Sequence, residues 1–187
     1  PCDYIPAGLA VTRTTEWAAR SLKQVNKRKK ELGDKAGLLF GIVQGGVHAK
    51  LRQQSAEQIV PLGFPGYGIG GLSVGEPREA MWEMLDAQVP FLPEETPKHL
   101  MGVGYPEEIR KAVSYGIDLF DCVIPTRLGR HGGFITDEGK MIIKNEKFKK
   151  DPGPLMEGCD CPVCGRFSRA FIRHLFIARE ISALIFL

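Results

Sequence analysis

Leu119-Phe120-Asp121-Cys122-Val123-Ile124-Pro125-Thr126-Arg127-Leu128-Gly129-Arg130-His131-Gly132-Gly133 is the stretch from which the fold is read. Its apolar first half has the composition of a buried strand, and it empties into a loop with two arginines and three glycines. Asp121 sits in that strand. Desolvating an unpaired carboxylate is costly, so Asp121 is either a paired structural residue or a group held ready for chemistry. Arg127 and Arg130, set among glycines that let backbone approach a ligand, suit a polyanion lying across the mouth of the strand.

Upstream, the same theme recurs. Leu38 to Gln44 reads as a strand closing on Gln44-Gly45-Gly46, and His48 to Val60 as a helix. Strand Tyr67 to Gly71, loop Leu72 to Gly75 and helix Glu76 to Gln88 follow. Next come strand His99 to Val103 and helix Pro106 to Tyr115, with Pro106 in the first turn and Gly116 as the stop. Ahead of them, Trp17, Leu22 and Val25 recur at helical spacing in an amphipathic helix from Arg13 to Leu32, ended by Gly33. Pro1 to Tyr4 carries no helix or strand signal and no start methionine, which suggests a chain cut from something longer.

Strands alternating with helices imply a parallel sheet, either a (β/α)8 barrel or an open doubly wound sheet. The barrel is favoured. Polar residues or glycines end each strand, at Gln44, Gly71, Gly102 and Asp121, as where a barrel assembles its active site. A barrel takes about 250 residues, so these units make roughly half of one.

Beyond Asp121 the alternation breaks. Gly133 to Thr136 and Met141 to Ile143 read as a β-hairpin around Asp137-Glu138-Gly139-Lys140. Asp151-Pro152-Gly153-Pro154 is a loop, and Phe167 to Leu187 reads as one packing helix. The expected organisation is residues 1–132 and 166–187 as the barrel part, with 133–165 as a subdomain that holds the hairpin and a cluster of cysteines.

The chain has 187 residues, 43% of them apolar, as in ordinary globular proteins. No apolar run approaches the roughly 20 residues of a bilayer helix, and no signal peptide opens the chain, so a cytosolic setting is expected. The net charge of +3 decides nothing, and the basic runs Lys27 to Lys30 and Lys144 to Lys150 read first as solvated faces.

Of five cysteines, Cys159, Cys161 and Cys164 form a C-x-C-x-x-C array. Thiols that close together in a reducing compartment favour metal over disulfides, and thiolate sulfur suits tetrahedral Zn²⁺. His174 is a candidate fourth ligand, but the commoner reading is a histidine on a polar helix face beside Arg173. Cys2 and Cys122 read as small apolar residues.

These motifs together resemble the queuine/preQ1 tRNA-ribosyltransferases, the tRNA-guanine transglycosylase family. The resemblance rests on Phe40-Gly41-Ile42-Val43-Gln44-Gly45-Gly46, Gly70-Gly71-Leu72-Ser73-Val74-Gly75-Glu76, Leu100-Met101-Gly102-Val103-Gly104, Phe120 to Arg127, and the Cys159 to Cys164 array, in one order along the whole chain. It implies a (β/α)8 barrel with a structural zinc insertion and exchange of the anticodon wobble guanine without strand cleavage.

By the same resemblance Asp121 would be the nucleophile at ribose C1′, a covalent route suited to an oxocarbenium-like centre. Gln44, Gly70, Gly71 and Leu72 would bind the purine edge. Val74, where eukaryotic members have glycine, implies the bacterial preQ1 specificity. Gly102-Val103-Gly104-Tyr105-Pro106-Glu107-Glu108 and Thr126-Arg127-Leu128-Gly129-Arg130 would hold the RNA around an extruded base. The implied partners are tRNA with a GUN anticodon, guanine and preQ1, with a homodimer expected of the full-length enzyme and no membrane.

Two departures matter. The family's other two aspartates lie upstream of the position of Pro1, and its fourth zinc ligand, a histidine, would fall past Leu187. These 187 residues alone are therefore expected to be inactive or nearly so. The rival readings are a non-catalytic tRNA-binding partner subunit of the same fold, and an unrelated phosphate-binding barrel enzyme with a structural zinc.

Overall fold

The computed structural model describes residues 2–187, the side chain of Asp34 excepted. The chain packs as two compact units, one running to Cys122 and one starting at Val123. In the first unit, β1 (Gly41–Val43), β2 (Tyr67–Ile69), β3 (Lys98–Met101) and β4 (Leu119–Asp121) form a parallel sheet in the order β1-β2-β3-β4. All four expected strands are present, but each is only three or four residues long. Past the strands the chain leaves the ladder: the Gln44 amide donates to Ser55 Oγ at 3.0 Å, and Gly71, after one last bond from the Gly70 amide to Val43 O, turns to φ +68°.

Register fixes what each face carries. Val43, Ile69, Leu100 and Phe120 lie side by side, as do Ile42, Gly68, His99 and Leu119 on the opposite face. The first face is the core. It packs with Ala56 and Ile59 of α2 (Ala49–Ile59), Met81 and Leu85 of α3 (Arg78–Gln88) and Ala112 of α4 (Pro106–Val113). Burying each Val, Ile, Leu, Phe or Met among them contributes about 1.5–3 kcal/mol.

The second face is open among the described residues: Met101 is 36% and Leu119 45% exposed. This corrects the reading of the apolar run around Asp121 as a buried strand. Only Phe120 turns to the core, and Asp121 meets solvent with a side chain 60% exposed. Its carboxylate therefore escapes the desolvation penalty that its apolar neighbours suggested.

The leading helix α1 (Tyr4–Leu32) starts nine residues before the expected Arg13. Ala7 and Val11, one turn apart, explain the extension by burying against Leu51 of α2. Cys2, just ahead of it, is exposed and does not behave as an apolar packing residue. Helix α3 starts at Arg78 rather than Glu76, since Pro77 holds the extended backbone of an N-cap.

In the second unit the expected arginine loop is instead a helix, α5 (Ile124–Arg130), with Pro125 in its first turn, where a missing N–H costs nothing. The hairpin is present as β5 (Gly133–Thr136) and β6 (Gly139–Ile142), closed around Asp137-Glu138. Phe134, Ile143, Phe148, Leu155 and Ile172 form the core of this unit. The single packing helix expected over 167–187 is two, α6 (Arg169–Ile177) and α7 (Ile181–Phe186), interrupted where Arg179 adopts φ +62°.

Arg169 clamps the loop beneath this core. Its guanidinium lies 3.2 Å from Asp151 Oδ2, while Asp151 Oδ1 accepts from the Gly153 amide at 2.9 Å. The Gly153 N–H, and then Arg169, hold the Asp151 carboxyl below its ordinary value. A depressed folded value means stability that is present above the unfolded carboxylate value and lost as pH falls through the folded one. Asp151→Asn is expected to cost about 1–3 kcal/mol near neutral pH. The gap to the parent should narrow below about pH 4 in urea denaturation curves; a gap unchanged by acid would refute this assignment.

Candidate active site

Asp121 ends β4, and β3 sets its geometry. Parallel register pairs Met101 with Asp121 and His99 with Leu119, so His99 and Asp121 are diagonal neighbours on the open face. His99 Nε2 lies 2.9 Å from Asp121 Oδ1, and the Gly102 amide donates to the same oxygen at 3.2 Å. An ionised carboxylate only accepts, so His99 presents Nε2–H. Both donors converge on Oδ1, and Oδ2 is the oxygen neither engages.

Gly102 links Asp121 to the loop after β2, because its carbonyl accepts from Ser73 Oγ at 3.0 Å. In that loop Gln44 lies over the two glycines. A Cβ on Gly71 would stand 2.6 Å from Gln44 Oε1, and one on Gly70 3.0 Å from Gln44 Nε2. Only glycine admits the Gln44 amide there, and Gly71 also needs its positive φ. The Glu76 carboxylate accepts from the Ser73 amide and from the Val74 amide, the latter at 3.0 Å. Pro77 leaves Glu76 outside helix α3 and so free to do this.

Behind the loops sits Arg52, a fully buried side chain of α2. Its Nε donates to Gly46 O at 2.8 Å, Nη1 to Gly70 O at 2.8 Å and to Gln88 Oε1 at 3.0 Å, and Nη2 to Gly71 O at 3.0 Å. Burial lowers its guanidinium to about 10, with the nearby Glu76 carboxylate opposing, so it remains a cation at neutral pH.

The structure thus brings Gln44, Gly70, Gly71, Gly102 and Asp121 into one connected set. Leu72 and Val103 point their side chains into the core, so only their backbone can meet a ligand, whereas Val74 is 66% exposed. In the 102–108 segment, a Cβ on Gly104 would collide with Cys122. Pro106 starts α4, and Tyr105 lies under the Arg78 guanidinium, 5.3 Å from its centre. Arg78 also pairs with Glu108 at 2.9 Å and Glu107 at 3.7 Å. In α5 of the second unit, Thr126, Arg127 and Arg130 are exposed, while Leu128 is half-buried and Gly129 buried.

Also in the second unit, one sulfur atom each of Cys159, Cys161 and Cys164 lies within 4.8 Å of the others. Tetrahedral Zn–S bonds of about 2.3 Å place sulfurs about 3.8 Å apart, so the array fits such an ion. No fourth His, Cys or carboxylate joins it among the described residues, and His174 stands apart on α6. The Cys164 amide and the Cys159 side chain hold the Cys161 thiol below its usual value, while burial pushes Cys164 up.

The family pattern described as "TGT: Queuine tRNA-ribosyltransferase" matches residues 1–187. The chain belongs to that family. A queuine tRNA-ribosyltransferase of Symbiobacterium thermophilum is 54% identical over 184 residues, covering 98% of this chain and 44% of that protein. Its counterpart in Koribacter versatilis is 51% identical over 189 residues, covering 98% and 49%. That of Desulforudis audaxviator is 47% identical over 181 residues, covering 97% and 47%. The chain therefore spans about half the length of the curated relatives it matches.

Two residues of the connected set escape a reading of the sequence alone. His99 could have been found from strand alternation, since it lies two positions before Met101 on the face that bears Asp121. Arg52 gave no signal, because it reads as one more polar position of an amphipathic helix. No described helix is long and apolar enough to cross a membrane.

Proposed function

We propose that the chain carries the nucleophile of a tRNA-guanine transglycosylase that exchanges guanine for preQ1 at the anticodon wobble position. One observation carries this reading: in a member of the family, Asp121 presents one restrained and one unengaged oxygen beside the Gln44 and Gly70-Gly71 cradle. Asp121 Oδ2 attacks ribose C1′, and guanine leaves with the electron pair of the C1′–N9 bond. PreQ1 then attacks C1′ and displaces Asp121, and the departing base gains the proton that the incoming base loses.

Strands in sequential order with helices over one face are the pattern of part of a (β/α)8 barrel, since a doubly wound sheet carries helices on both faces. The open face bearing Ile42, His99 and Leu119 would then be its interior. Gln44, Gly71 and the Leu72 backbone read the purine, Val74 closes the space that the larger queuine would need, and the backbone of 102–108 with Thr126, Arg127 and Arg130 holds tRNA. Cys159, Cys161 and Cys164 would hold a structural Zn²⁺, which supplies cross-linking of the loops around it. The same family reading extends to a cytoplasmic homodimer.

The test uses the full-length protein, labelled preQ1 and tRNA with a GUN anticodon. The expected result is one guanine released per preQ1 incorporated, with queuine excluded. A folded, metal-loaded protein that binds tRNA and releases no guanine would overturn the reading in favour of a non-catalytic partner subunit.

A further inference from the structure

Arg52 is a buried cation whose four hydrogen-bond acceptors are all neutral: three loop carbonyls and the Gln88 side-chain amide. A guanidinium taken out of water without an ion pair is expensive to keep, and an apolar side chain would fill the same space more cheaply. What the cation does to the peptides it holds explains its presence.

Every peptide bond here is trans, so a carbonyl and the N–H of the same peptide point to opposite sides. The Gly70 carbonyl belongs to the peptide whose N–H is that of Gly71, and the Gly71 carbonyl to the peptide whose N–H is that of Leu72. With both oxygens drawn to Arg52, the Gly71 and Leu72 N–H groups face away from it. Among the described residues neither amide has an acceptor. The next two do: Ser73 and Val74 both donate to the Glu76 carboxylate. Four successive amides are thus divided, two engaged and two left as a pair of donors with a cation behind their dipoles.

We infer that Arg52 is a positioning residue for base exchange, aiming and polarising the Gly71 and Leu72 N–H pair toward the negative charge that develops on the departing purine. This rests on the transglycosylase reading and adds the site's requirement: a planar heterocycle that becomes anionic as it leaves. Preorganised N–H donors act where charge develops, and a positive charge at the carbonyl end of each peptide strengthens them. Gln88 holds Nη1 from the α3 side and so keeps the fork in register with the two carbonyls.

The effect should therefore scale with how much stabilisation the leaving base needs. In the full-length protein, Arg52→Met is expected to slow single-turnover release of guanine about 100-fold, in line with loss of oxyanion-type donors. Release of the more acidic 8-azaguanine from the same RNA position should slow only about 10-fold, because a better leaving group depends less on the donors. Rates are normalised to the fraction of protein that forms an RNA adduct, so partial misfolding does not enter. Arg52→Lys, which keeps the charge but not the fork, should lie between parent and Arg52→Met. Gln88→Met, which leaves the backbone bonds of Arg52 in place, should cost about 3-fold with the same dependence on the base, and serves if the Arg52 variants do not fold.

Equal slowing with both bases, or unchanged release in Arg52→Lys and Gln88→Met, overturns the inference while leaving the transglycosylase reading intact. Absence of exchange by the parent protein overturns both.

Discussion

Asp121→Asn in the full-length protein is expected to lower guanine exchange by about 10⁴-fold or more and to leave no RNA-protein adduct on a denaturing gel. The variant isolates chemistry from architecture. Asparagine has the volume of aspartate, and its side-chain oxygen can still accept from His99 Nε2 and the Gly102 amide, the two groups that address Oδ1. What it lacks is the second, anionic oxygen. Because that side chain is largely exposed, the substitution removes no buried charge, and the melting temperature should move little. Binding of tRNA should be retained, since it draws on other parts of the protein. An adduct formed by the Asn variant at the parent rate would remove Asp121 from the reaction and leave only the family and the fold.

The second large effect concerns the cysteine array. Metal analysis of the full-length protein should find about one zinc per chain, and Cys161→Ala should lose it. Binding of a structural zinc is worth on the order of 10 kcal/mol in small domains and is available only to the folded state, so its loss becomes a loss of folding. The unit that starts at Val123 has a small core, centred on Phe134, Ile143, Phe148, Leu155 and Ile172, and small cores are the ones that need such a cross-link. Limited proteolysis of Cys161→Ala should therefore cut within residues 151–187 first, while the sheet of the first unit stays protected. A variant that lost zinc yet resisted protease as the parent does would show that the metal is dispensable to the fold.

How far the sequence could be read depended on whether a feature was local. Alternating strand and helix signals located β1 to β4 and their helices, because each carries its own periodicity, with Pro106 and Gly116 as a start and a stop. The thiol array was equally plain, since the C-x-C-x-x-C spacing itself brings the sulfurs together. What failed was anything decided by a partner distant in sequence. The exposure of Leu119 and Asp121 depends on which face of the sheet the helices cover, and no window around residue 121 contains that information. Helix α1 begins early because Ala7 and Val11 meet Leu51, some 40 residues away. The glycines and arginines after Ile124 read as a loop, whereas the structure has helix α5 there, with Pro125 in its first turn, where proline is welcome. Of the residues that the structure brings together, glutamine, glycine and aspartate stand out in the sequence and the supporting histidine and arginine do not. The former carry recognisable motifs; the latter act through the fold.

The place of Asp121 at the end of β4, as the one group that would carry the sugar, also fixes a stereochemical outcome for the proposed reaction. Whichever oxygen bonds to the sugar, the aspartate stays on one side of the ribose, and each of the two displacements inverts the carbon it attacks. Two inversions restore the starting β-anomer, so old and new bases occupy the same face and the RNA need not be released or turned between the steps, which the configuration of the exchanged nucleotide by NMR would display.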